Sequence, residues 1–461
     1  MDTYLGIDIG TSHIKAVMID DRGKVLQKDS VVTPTTEDGI GAVHDAQQLV
    51  SACQTIVRQI ISSHPQAQVK AISVASFGEE GFLLDERNQP VYASIAWYEQ
   101  RPICHHGKLA SNMYTQQETG LIPSLSYSLF KWFWIKENHW ASWQAGKTWL
   151  PVSDYIGFVL TGCMRISYSQ ACRTYAFNPL TKCWIPYYVE EALPCGIDAL
   201  PEPVAAGYIL GQTSDNAQDW GLHSGTAVVV GGHDHSVGAF GAGALNTTQV
   251  LDSVGTSEVF YWPISHLDAN AMISGFEYGY TGYPNNGYYV ESTIYTGLAI
   301  NALRRLFHLS DDEIGNIQSA NGSHRLPFVI PARLGQITPF DIRSIYDTTT
   351  AADIILATLR SSAMAFRKVL ERGGKSLSTK SEIIIIGGGA SPQALSIKAD
   401  VLQLPLRHIS GSETVSWGAA SLARQALTGQ EPHVATYQTI QPNPKMKAYY
   451  DDLYNDFDRL W

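Results

Sequence analysis

The sequence lacks several features that define whole classes of protein. Its six cysteines include no Cys-x-x-Cys pair, so neither a zinc ribbon nor a dithiol redox motif is supported. It has no run of basic residues and its net charge is −11, which argues against a nucleic-acid or anionic-membrane surface. No apolar stretch reaches membrane-spanning length, and no basic-then-apolar leader precedes the first apolar run. We therefore expect a soluble, cytoplasmic protein that binds neither nucleic acid nor membrane.

Length and composition indicate a globular protein of two or three domains. The chain has 461 residues, of which 44% are hydrophobic and 16% charged, so a sizeable core is possible. Apolar spacing predicts helices over 45–63 and 351–370 and a strand over 69–76, an alternation typical of α/β folds. Residues from about 97 to 210 are rich in Trp, Tyr, Pro and Cys, and we interpret them as an insertion in the first half. Ordinary irregular core is the alternative for any single aromatic residue there.

The first twenty residues are typical of a β-hairpin. Apolar residues alternate over 5–9, and a second apolar run covers 14–19 after a Gly-Thr-Ser turn at 10–12. Asp8 is therefore an acidic residue in a strand whose apolar residues are typical of a buried core strand. Two interpretations remain open: Asp8 caps the turn, as Asx residues do, or it serves a site that the turn forms.

Two short patterns recur along the chain in the same order. Ile-Gly-Thr-Ser at 9–12 returns as Val-Gly-Thr-Ser at 254–257, and an apolar run ending in glycines at 228–234 matches the one at 384–390. One such echo arises easily by chance, but two in the same order predict a duplicated domain. The small residues at 241–244 then mark the seam between the halves and suit a hinge.

Two Gly-Thr-Ser turns facing each other suit a polyphosphate. Glycine lets the backbone approach, consecutive N–H groups form a concave anion site, and the hydroxyls add donors. Lys15 would add positive charge, and the Asp8 carboxylate is the type of hard oxygen ligand that anchors Mg²⁺ and its waters. The glycines at 387–389 would let a flat base lie against the backbone, and a tight strand-to-helix turn is the alternative.

In the first half, the segment matching the second glycine run carries His233, Asp234 and His235. A carboxylate at the end of a strand, facing the cleft between halves, is well placed as a general base for phosphoryl transfer. Two other interpretations are open. In one, Asp234 only caps a helix; in the other, the three residues bind a metal, which adjacent residues seldom do together.

Taken together, these motifs resemble those of the FGGY carbohydrate kinases, the family of the glycerol, xylulose and gluconate kinases, along nearly the whole chain. The segments that carry the resemblance are 6–12 with Lys15, 231–234, 252–257, 387–402 and 417–420. The resemblance implies an α/β fold of duplicated actin-like ATPase domains, related to ribonuclease H, with ATP and sugar in the cleft between them. We place the N-terminal domain at 1–244 and the C-terminal domain at 245–461.

The resemblance also implies roles for individual residues. Asp234 is the implied catalytic base and Asp8 the implied Mg²⁺ ligand, with ATP as the phosphate donor. The residues expected at the nucleotide are Gly10, Thr11, Ser12, Lys15, Gly255, Thr256, Gly297, Gly388, Gly389 and Gln393. Those expected at the sugar are Glu79, Glu80, Trp97, Asp234 and His235. We expect a small-molecule sugar or polyol as the partner, and a homodimer is possible.

The departures from the family concern the sugar. The usual Trp-x-Asp-x-Arg is Trp-Tyr-Glu-Gln-Arg at 97–101, and an acidic pair, Glu79 and Glu80, replaces the Arg-Glu of glycerol kinases and the Met-His of xylulose kinases. We match Glu80 to the glycerol-type glutamate, expect it to accept hydrogen bonds from two hydroxyls, and expect a neutral substrate rather than a sugar acid. A solvated strand end is the alternative for both glutamates. The alternative function is an actin-like ATPase or sugar sensor without efficient phosphoryl transfer.

Overall fold

The structure is a computed structural model of the chain. It describes residues 1–101, 115–283, 287–310, 327–332, 340–374, 382–411, 413–431 and 436–461. Part of the predicted insertion, residues 102–114, lies outside these ranges.

The first half is built on a six-stranded sheet. Its strands, in spatial order, are β5, β6, β4, β1, β2 and β3. The predicted hairpin is confirmed, because β1 pairs antiparallel with β2, while β4 runs parallel to β1 on its other side. The bounds of the strands are β1 Asp2–Ile9, β2 His13–Asp20, β3 Val25–Val32, β4 Gln68–Ser76, β5 Ile209–Gln212 and β6 Ala227–His233.

The second half is built on a seven-stranded sheet with the same central arrangement. Its order is β9, β10, β8, β7, β11, β12 and β13. Here β7 pairs antiparallel with β8 and parallel with β11. The bounds are β7 Gln249–Val254, β8 Glu258–Ile264, β9 Glu277–Tyr280, β10 Tyr288–Ile294, β11 Glu382–Ile386, β12 Leu406–His408 and β13 Gln438–Ile440.

The topology supports duplication but corrects one of the two echoes. The hairpin β1–β2 corresponds to β7–β8, so the two Gly-Thr-Ser turns are equivalent. The strand beside β7 is β11, which therefore takes the place of β4 and not of β6. Our pairing of 228–234 with 384–390 is therefore wrong, because β6 corresponds to β12. Both segments are buried strands that end in glycines before a helix, and that pattern occurs at more than one place in an α/β sheet.

Short strands outside the two sheets form small pairs and a three-stranded sheet. Gly81–Leu84 pairs with Thr148–Pro151, and Ala42–His44 lies between Thr36–Glu37 and Ser94–Ile95. The others pair Ile166–Ser167 with Pro203–Val204, Phe177–Asn178 with Cys183–Trp184, and Phe328–Pro331 with Phe340–Arg343.

Helices cover the faces of both sheets. The predicted helix at 45–63 is α1, capped by the Asp45 carboxylate, which accepts a hydrogen bond from the Gln48 amide at 2.9 Å. Among the described residues, no helix has the length and apolar character needed to cross a bilayer. The bounds are α1 Ala46–Ser62, α2 Thr115–Thr119, α3 Ser128–Asn138, α4 Trp140–Ala145, α5 Val152–Thr161, α6 Tyr168–Cys172, α7 Pro186–Ala192, α8 Asp234–Gly241, α9 Thr296–Phe307, α10 Ala351–Arg372, α11 Pro392–Leu402, α12 Thr414–Thr428 and α13 Lys447–Leu460.

A helix from the C-terminal part of the chain packs on the sheet of the first half. Although α12 is near the C-terminus, it packs across β1, β2 and β4. Gly6 permits this contact, because a Cβ atom there would collide with the Ser416 carbonyl oxygen. The same helix packs against α8, where Gly241 and Gly418 meet closely: a Cβ atom on Gly241 would lie 2.9 Å from the Gly418 Cα. The predicted hinge at 241–244 therefore begins at a tight helix crossing, and its movement remains a prediction.

The aromatic-rich segment packs into the core of the first half. Its described part, residues 115–210, contains six short helices between β4 and β5. Its large side chains join one hydrophobic cluster with β1, β4 and α1, including the buried aromatics Trp132, Phe133, Tyr175 and Phe177. Ser126, Tyr127 and Arg173 of this segment line a cavity together with residues at or just after the ends of β1, β4 and β6.

Candidate active site

A cavity of about 300 Å³ lies between the two halves. Both Gly-Thr-Ser turns line it, as the duplication predicts. Of the residues predicted to bind nucleotide, magnesium or sugar, those that line it are Gly10, Thr11, Ser12, Lys15, Glu79, Trp97, Asp234, His235, Gly255 and Thr256. The structure therefore brings most of the predicted site residues to one place.

The two turns have related but unequal geometry. In the first, the Gly10 amide donates to the His13 carbonyl at 3.1 Å, and in the second, the Gly255 amide donates to the Ser257 carbonyl at 3.0 Å. The first turn is one residue longer, since it links the pair Ile9 and Ile14 whereas the second links Val254 and Glu258. Each turn presents backbone N–H groups and hydroxyls at a strand end, which is the chemistry that a phosphate chain requires.

A second, smaller cavity of about 40 Å³ extends from the Gly255 turn into the second half. Gly297 and Gly389 line it, and the space around the Gly388 Cα is open, since a Cβ atom there would meet nothing within 4 Å. Gln393 lies at the start of α11, and its Nε2 atom is buried without a hydrogen-bond partner. These four predicted nucleotide residues therefore cluster beyond the second turn, although Gly388 and Gln393 do not line the cavity itself.

Asp8 is buried at the end of β1, directly opposite Lys15 on β2. The pKa of Asp8 is raised to about 7, first by burial and then by the nearby Asp234 carboxylate, while Lys15 and His235 oppose the shift. Its Oδ1 atom has no hydrogen-bond partner, and the amide of the adjacent turn is bonded to His13 instead. The geometry therefore favours the functional interpretation of Asp8 over the turn-capping one. A buried, unpartnered carboxylate oxygen beside a phosphate-type turn fits a Mg²⁺ ion.

Asp234 is the first residue of α8, immediately after β6. Its carboxylate is 24% exposed, toward the cavity, and it accepts a hydrogen bond from the His235 amide at 2.7 Å. Burial raises the pKa of Asp234, His235 opposes this effect, and the carboxylates of Glu79 and Glu291 add to it. A carboxylate with a raised pKa that faces the cavity is suited to accept a proton.

Two imidazole rings stand between Asp234 and a second carboxylate, Glu291. The Nε2 atoms of His233 and His235 lie 3.2 and 3.7 Å from Asp234 Oδ1, and their Nδ1 atoms lie 3.9 and 3.5 Å from Glu291 Oε1. Burial alone would lower the pKa of His235, but Asp234 and Glu291 outweigh it and raise that pKa to about 9. Burial holds the pKa of His233 well below its usual range. One ring is therefore charged and the other neutral at pH 7.

Arg173 joins the two halves beneath the cavity. Its Nε atom lies 2.6 Å from Glu79, and its Nη1 atom lies 3.0 and 3.1 Å from Glu277 and Glu291 on the second sheet. Burial raises the pKa of Glu79, and Arg173 opposes that shift. Sequence reasoning missed Arg173, Glu277 and Glu291, because no local motif links residues so far apart in the chain. Arg173 also lies over the ring of Tyr127, 5.3 Å from its centroid.

Glu80 is buried beside the cavity residue Glu79. Its side chain is 1% exposed, so the solvated-edge interpretation is wrong. It does not line the cavity, and its contact with the sugar stays a prediction. Its Oε2 atom accepts from His44 at 2.8 Å and Ser94 at 3.1 Å, and its Oε1 atom accepts from the Trp97 amide at 2.8 Å. Glu80 thus positions Trp97.

Glu79 and Trp97 are the two predicted sugar residues of this region that reach the cavity. Glu79 has a left-handed backbone, φ 65°, which few non-glycine residues adopt and which turns the chain where β4 meets the site. Trp97 connects to the first turn, because its Nε1 atom donates a hydrogen bond to Thr11 Oγ1 at 2.9 Å.

A buried ion cluster supports the second turn. Lys398 on α11 bonds to Asp252 on β7 and lies 2.6 Å from Glu258 on β8. Burial raises the pKa of Asp252 to about 7, whereas Lys398 brings the pKa of Glu258 below its usual value despite burial. This cluster fixes α11 against the strands that carry the turn.

Comparison with known proteins identifies the family. The sequence matches the N-terminal domain of the FGGY family of carbohydrate kinases over residues 3–241 and the C-terminal domain over 251–427. It is 26% identical to a xylulose kinase of Staphylococcus epidermidis, over 100% of this chain and 96% of that protein.

Solved structures share the fold at lower identity. A ligand-bound xylulose kinase from Lactobacillus acidophilus has a TM-score of 0.88 at 18% identity, covering 100% of this chain and 98% of that one. A Plasmodium falciparum glycerol kinase with ADP has a TM-score of 0.83 at 16% identity, covering 99% and 97%. The fold is thus the two-domain, actin-like ATPase architecture that the sequence predicts. The chain belongs to the FGGY family of carbohydrate kinases and is an ATP-dependent sugar kinase.

Proposed function

We propose that this kinase transfers the γ-phosphate of ATP to a hydroxyl of a neutral sugar or polyol, with Asp234 as the general base. The observation that carries the proposal is that the Asp234 carboxylate faces the same cavity as both Gly-Thr-Ser turns. Phosphoryl transfer needs positioned reactants, neutralised phosphate charge and an acceptor for the hydroxyl proton, and this cavity offers groups for each task.

The proton of the attacking hydroxyl passes to Asp234. The raised pKa of this carboxylate favours acceptance of a proton, and the charged ring of His235 keeps the carboxylate ionised until the hydroxyl arrives. The turn amides and Lys15 hold the phosphates, and Asp8 would hold the Mg²⁺ ion. When bound, Mg²⁺ neutralises charge on the transferred phosphate.

The charges around the cavity support a neutral substrate. Glu79 and Asp234 line the sugar end, and Arg173 is already paired with three carboxylates, including Glu277 and Glu291. A substrate carboxylate would therefore meet an excess of like charge in a desolvated site. Glu79 and the Trp97 ring offer instead a hydrogen-bond acceptor and an apolar face. Xylulose and glycerol, the substrates named for two similar proteins, are neutral compounds. A gluconate kinase, named for a sugar acid, is also among the proteins of similar structure, so the substrate panel below includes sugar acids.

The proposal extends to the cellular location and the oligomeric state of the enzyme. The described cysteines form no disulfide, which fits a reducing compartment, and ATP is a cytoplasmic phosphate donor. We infer a cytoplasmic enzyme on this basis. A homodimer stays a prediction from the family resemblance, and analytical ultracentrifugation measures it.

The test is ADP release coupled to a panel of ketoses, aldoses, polyols and sugar acids, followed by Asp234→Asn on the best substrate. We expect activity on a neutral compound, and the substitution should lower kcat by a factor on the order of 10² to 10⁴. The sugar Kd, measured by calorimetry, should change much less, because Asn keeps the shape of the side chain. Near-normal turnover in Asp234→Asn would exclude the base assignment, and a sugar acid as the best substrate would exclude the neutral class.

A further inference from the structure

Three side chains in the cavity converge on one point. The Nε2 atoms of His233 and His235 lie 3.2 and 3.7 Å from Asp234 Oδ1, and one ligand atom from each of the three residues lies within 4.8 Å of the others. In a tetrahedral zinc site, bonds of about 2.0–2.1 Å place ligand atoms roughly 3.3 Å apart. The two measured separations are close to that value, so two of the three ligand-to-ligand distances already suit such a site.

The local backbone explains how neighbouring residues meet. His233 is the last residue of β6 and has extended backbone angles, φ −66° and ψ 133°, whereas Asp234 begins α8. The chain changes direction between them, which brings both rings to the same side. Their centroids are 4.5 Å apart and their planes are inclined by 67°. The junction separates only His233 from the other two residues, because Asp234 and His235 are consecutive in the first turn of α8. For that pair the evidence is the measured approach itself, since His235 Nε2 lies 3.7 Å from Asp234 Oδ1.

A carboxylate lies behind both rings, on the side away from Asp234. Glu291 Oε1 lies 3.9 and 3.5 Å from the two Nδ1 atoms, and all three atoms are buried without a hydrogen-bond partner. His233 and Glu291 are only 2% and 1% exposed. Histidines that bind metals commonly donate their other ring N–H to a carboxylate. Arg173, 3.1 Å from the other oxygen of Glu291, holds that carboxylate in place.

We propose that His233, Asp234 and His235 form a binding site for a transition-metal ion of the Zn²⁺ type, and that the bound ion inhibits the kinase. Two imidazole nitrogens and one carboxylate oxygen form a donor set that Zn²⁺ accepts and that Mg²⁺, which prefers oxygen ligands, does not. The charged ring of His235 releases its Nε2 proton to solvent when the ion binds, because only a neutral imidazole nitrogen coordinates a metal. The site is therefore separate from the Mg²⁺ ion expected beside Asp8. Ion binding is independent of the proposed function, whereas the inhibition depends on Asp234 being the base.

The mode of inhibition follows from the location. An ion bonded to Asp234 occupies the oxygen that would accept the proton, and it stands where the sugar hydroxyl must approach. Zn²⁺ should therefore compete with the sugar. It should not compete with Mg·ATP, whose phosphates bind at the two turns, and added Mg²⁺ should not relieve it.

The binding test uses Co²⁺, a spectroscopic substitute for Zn²⁺, titrated into the full-length enzyme in excess Mg²⁺. We expect one Co²⁺ per chain with visible d–d absorption, and displacement of the signal by Zn²⁺ or by the sugar substrate. His235→Asn and His233→Asn should weaken Co²⁺ binding by at least tenfold, as should Glu291→Gln by removing the carboxylate behind the rings. His13→Asn is the matched control, because His13 lies at the mouth of the same cavity but outside the cluster.

The outcomes separate the two halves of the proposal. Absence of a Co²⁺ signal in the wild-type enzyme, or an equal loss in the His13 and His235 variants, would overturn the site. Co²⁺ binding combined with Zn²⁺ inhibition that is unaffected by sugar concentration would overturn the mode of inhibition. If Asp234→Asn kept full turnover while the wild-type enzyme still bound Co²⁺, the base assignment would fail and the metal site would stand. Displacement by sugar is measured on the wild-type enzyme, so the test does not depend on variants that fold poorly.

Discussion

Each half of this kinase buries an aspartate in the strand that leads to its Gly-Thr-Ser turn. Asp8 is 6% exposed and Asp252 is fully buried, and burial raises the pKa of each to about 7. Their partners differ. Asp252 shares a buried ion cluster with Lys398 and Glu258, whereas one of the strongest influences on Asp8 is the like charge of Asp234.

The difference indicates what each half contributes. In the second half the acid is neutralised inside the protein, and the resulting cluster fixes α11 to the strands. In the first half two carboxylates, Asp8 and Asp234, stand near the same cavity, and the charge of Asp234 opposes the ionisation of Asp8. Two such carboxylates lower the stability of the folded protein unless one of them binds a cation or a proton. Catalytic residues commonly carry a stability cost of this kind.

The largest expected effect comes from removing the cation of the second half. Lys398→Met leaves Asp252 and Glu258 buried together without a positive partner, and breaking a buried pair in this way costs about 3–5 kcal/mol. Urea denaturation should show this loss in the free energy of unfolding. Lys447→Met is the control, because Lys447 forms an exposed i,i+4 pair with Asp451 whose loss costs less than about 1 kcal/mol. Equal effects of the two substitutions would mean that the buried cluster does not stabilise the second half.

Asp8→Asn should show the opposite pattern. Turnover at limiting Mg²⁺ should fall by a factor on the order of 10², because the ion loses its protein ligand. The free energy of unfolding at pH 7 should stay equal or increase, because a desolvated charge beside Asp234 is removed. Asp2→Asn, at the exposed start of the same strand, is the control for both measurements. A variant that turned over normally across a Mg²⁺ titration would exclude Asp8 as the ligand.

The pH dependence of stability sharpens the same contrast. The pKa of Asp8 is about 7 in the folded protein and about 4 in the unfolded chain, so the folded state holds the extra proton between these values. The contribution of Asp8 to stability therefore falls as the pH rises from about 4 to about 7. Asp8→Asn lacks this decline, so its stability relative to wild type should improve across that window and level off above it. Urea denaturation at several pH values measures the difference, and a constant difference would contradict the raised pKa.

Much of the fold was predictable because its signals are local. The alternation over 5–9, the Gly-Thr-Ser turns and the capped helix that begins after Asp45 each depend on residues close in sequence. The duplication could be read from the turns at 10–12 and 255–257. The correspondence of the other strands could not be read in this way, and our pairing of 228–234 with 384–390 was wrong, because strand position in a sheet is set by pairing between distant segments.

The site was less predictable for the same reason. Glu79 and Glu80 are adjacent acids, and the left-handed backbone of Glu79 decides which one faces the cavity. No sequence pattern predicts a left-handed backbone conformation at a glutamate. Arg173, Glu277 and Glu291 converge from three separate segments, so only the folded chain shows that they form one cluster.

The smallest expected effect separates the two turns themselves. Thr11 accepts a hydrogen bond from Trp97 Nε1 at 2.9 Å, so the first turn is linked to the sugar end of the cavity, whereas Thr256 lies at the start of the second half beside α9. Thr11→Val keeps the shape of the side chain but removes this acceptor, and a hydrogen bond of this kind contributes about 0.5–1.5 kcal/mol. We expect Thr11→Val to raise the KM for both sugar and ATP by roughly two- to tenfold, since Trp97 loses its anchor and the phosphate loses a donor. Thr256→Val should raise the KM for ATP alone.

Steady-state kinetics, with the concentration of one substrate varied at a time, distinguishes these effects. If Thr11→Val left the KM for the sugar unchanged, both Gly-Thr-Ser turns would serve only the nucleotide. The hydrogen bond between Trp97 and Thr11 would then have no role in sugar binding.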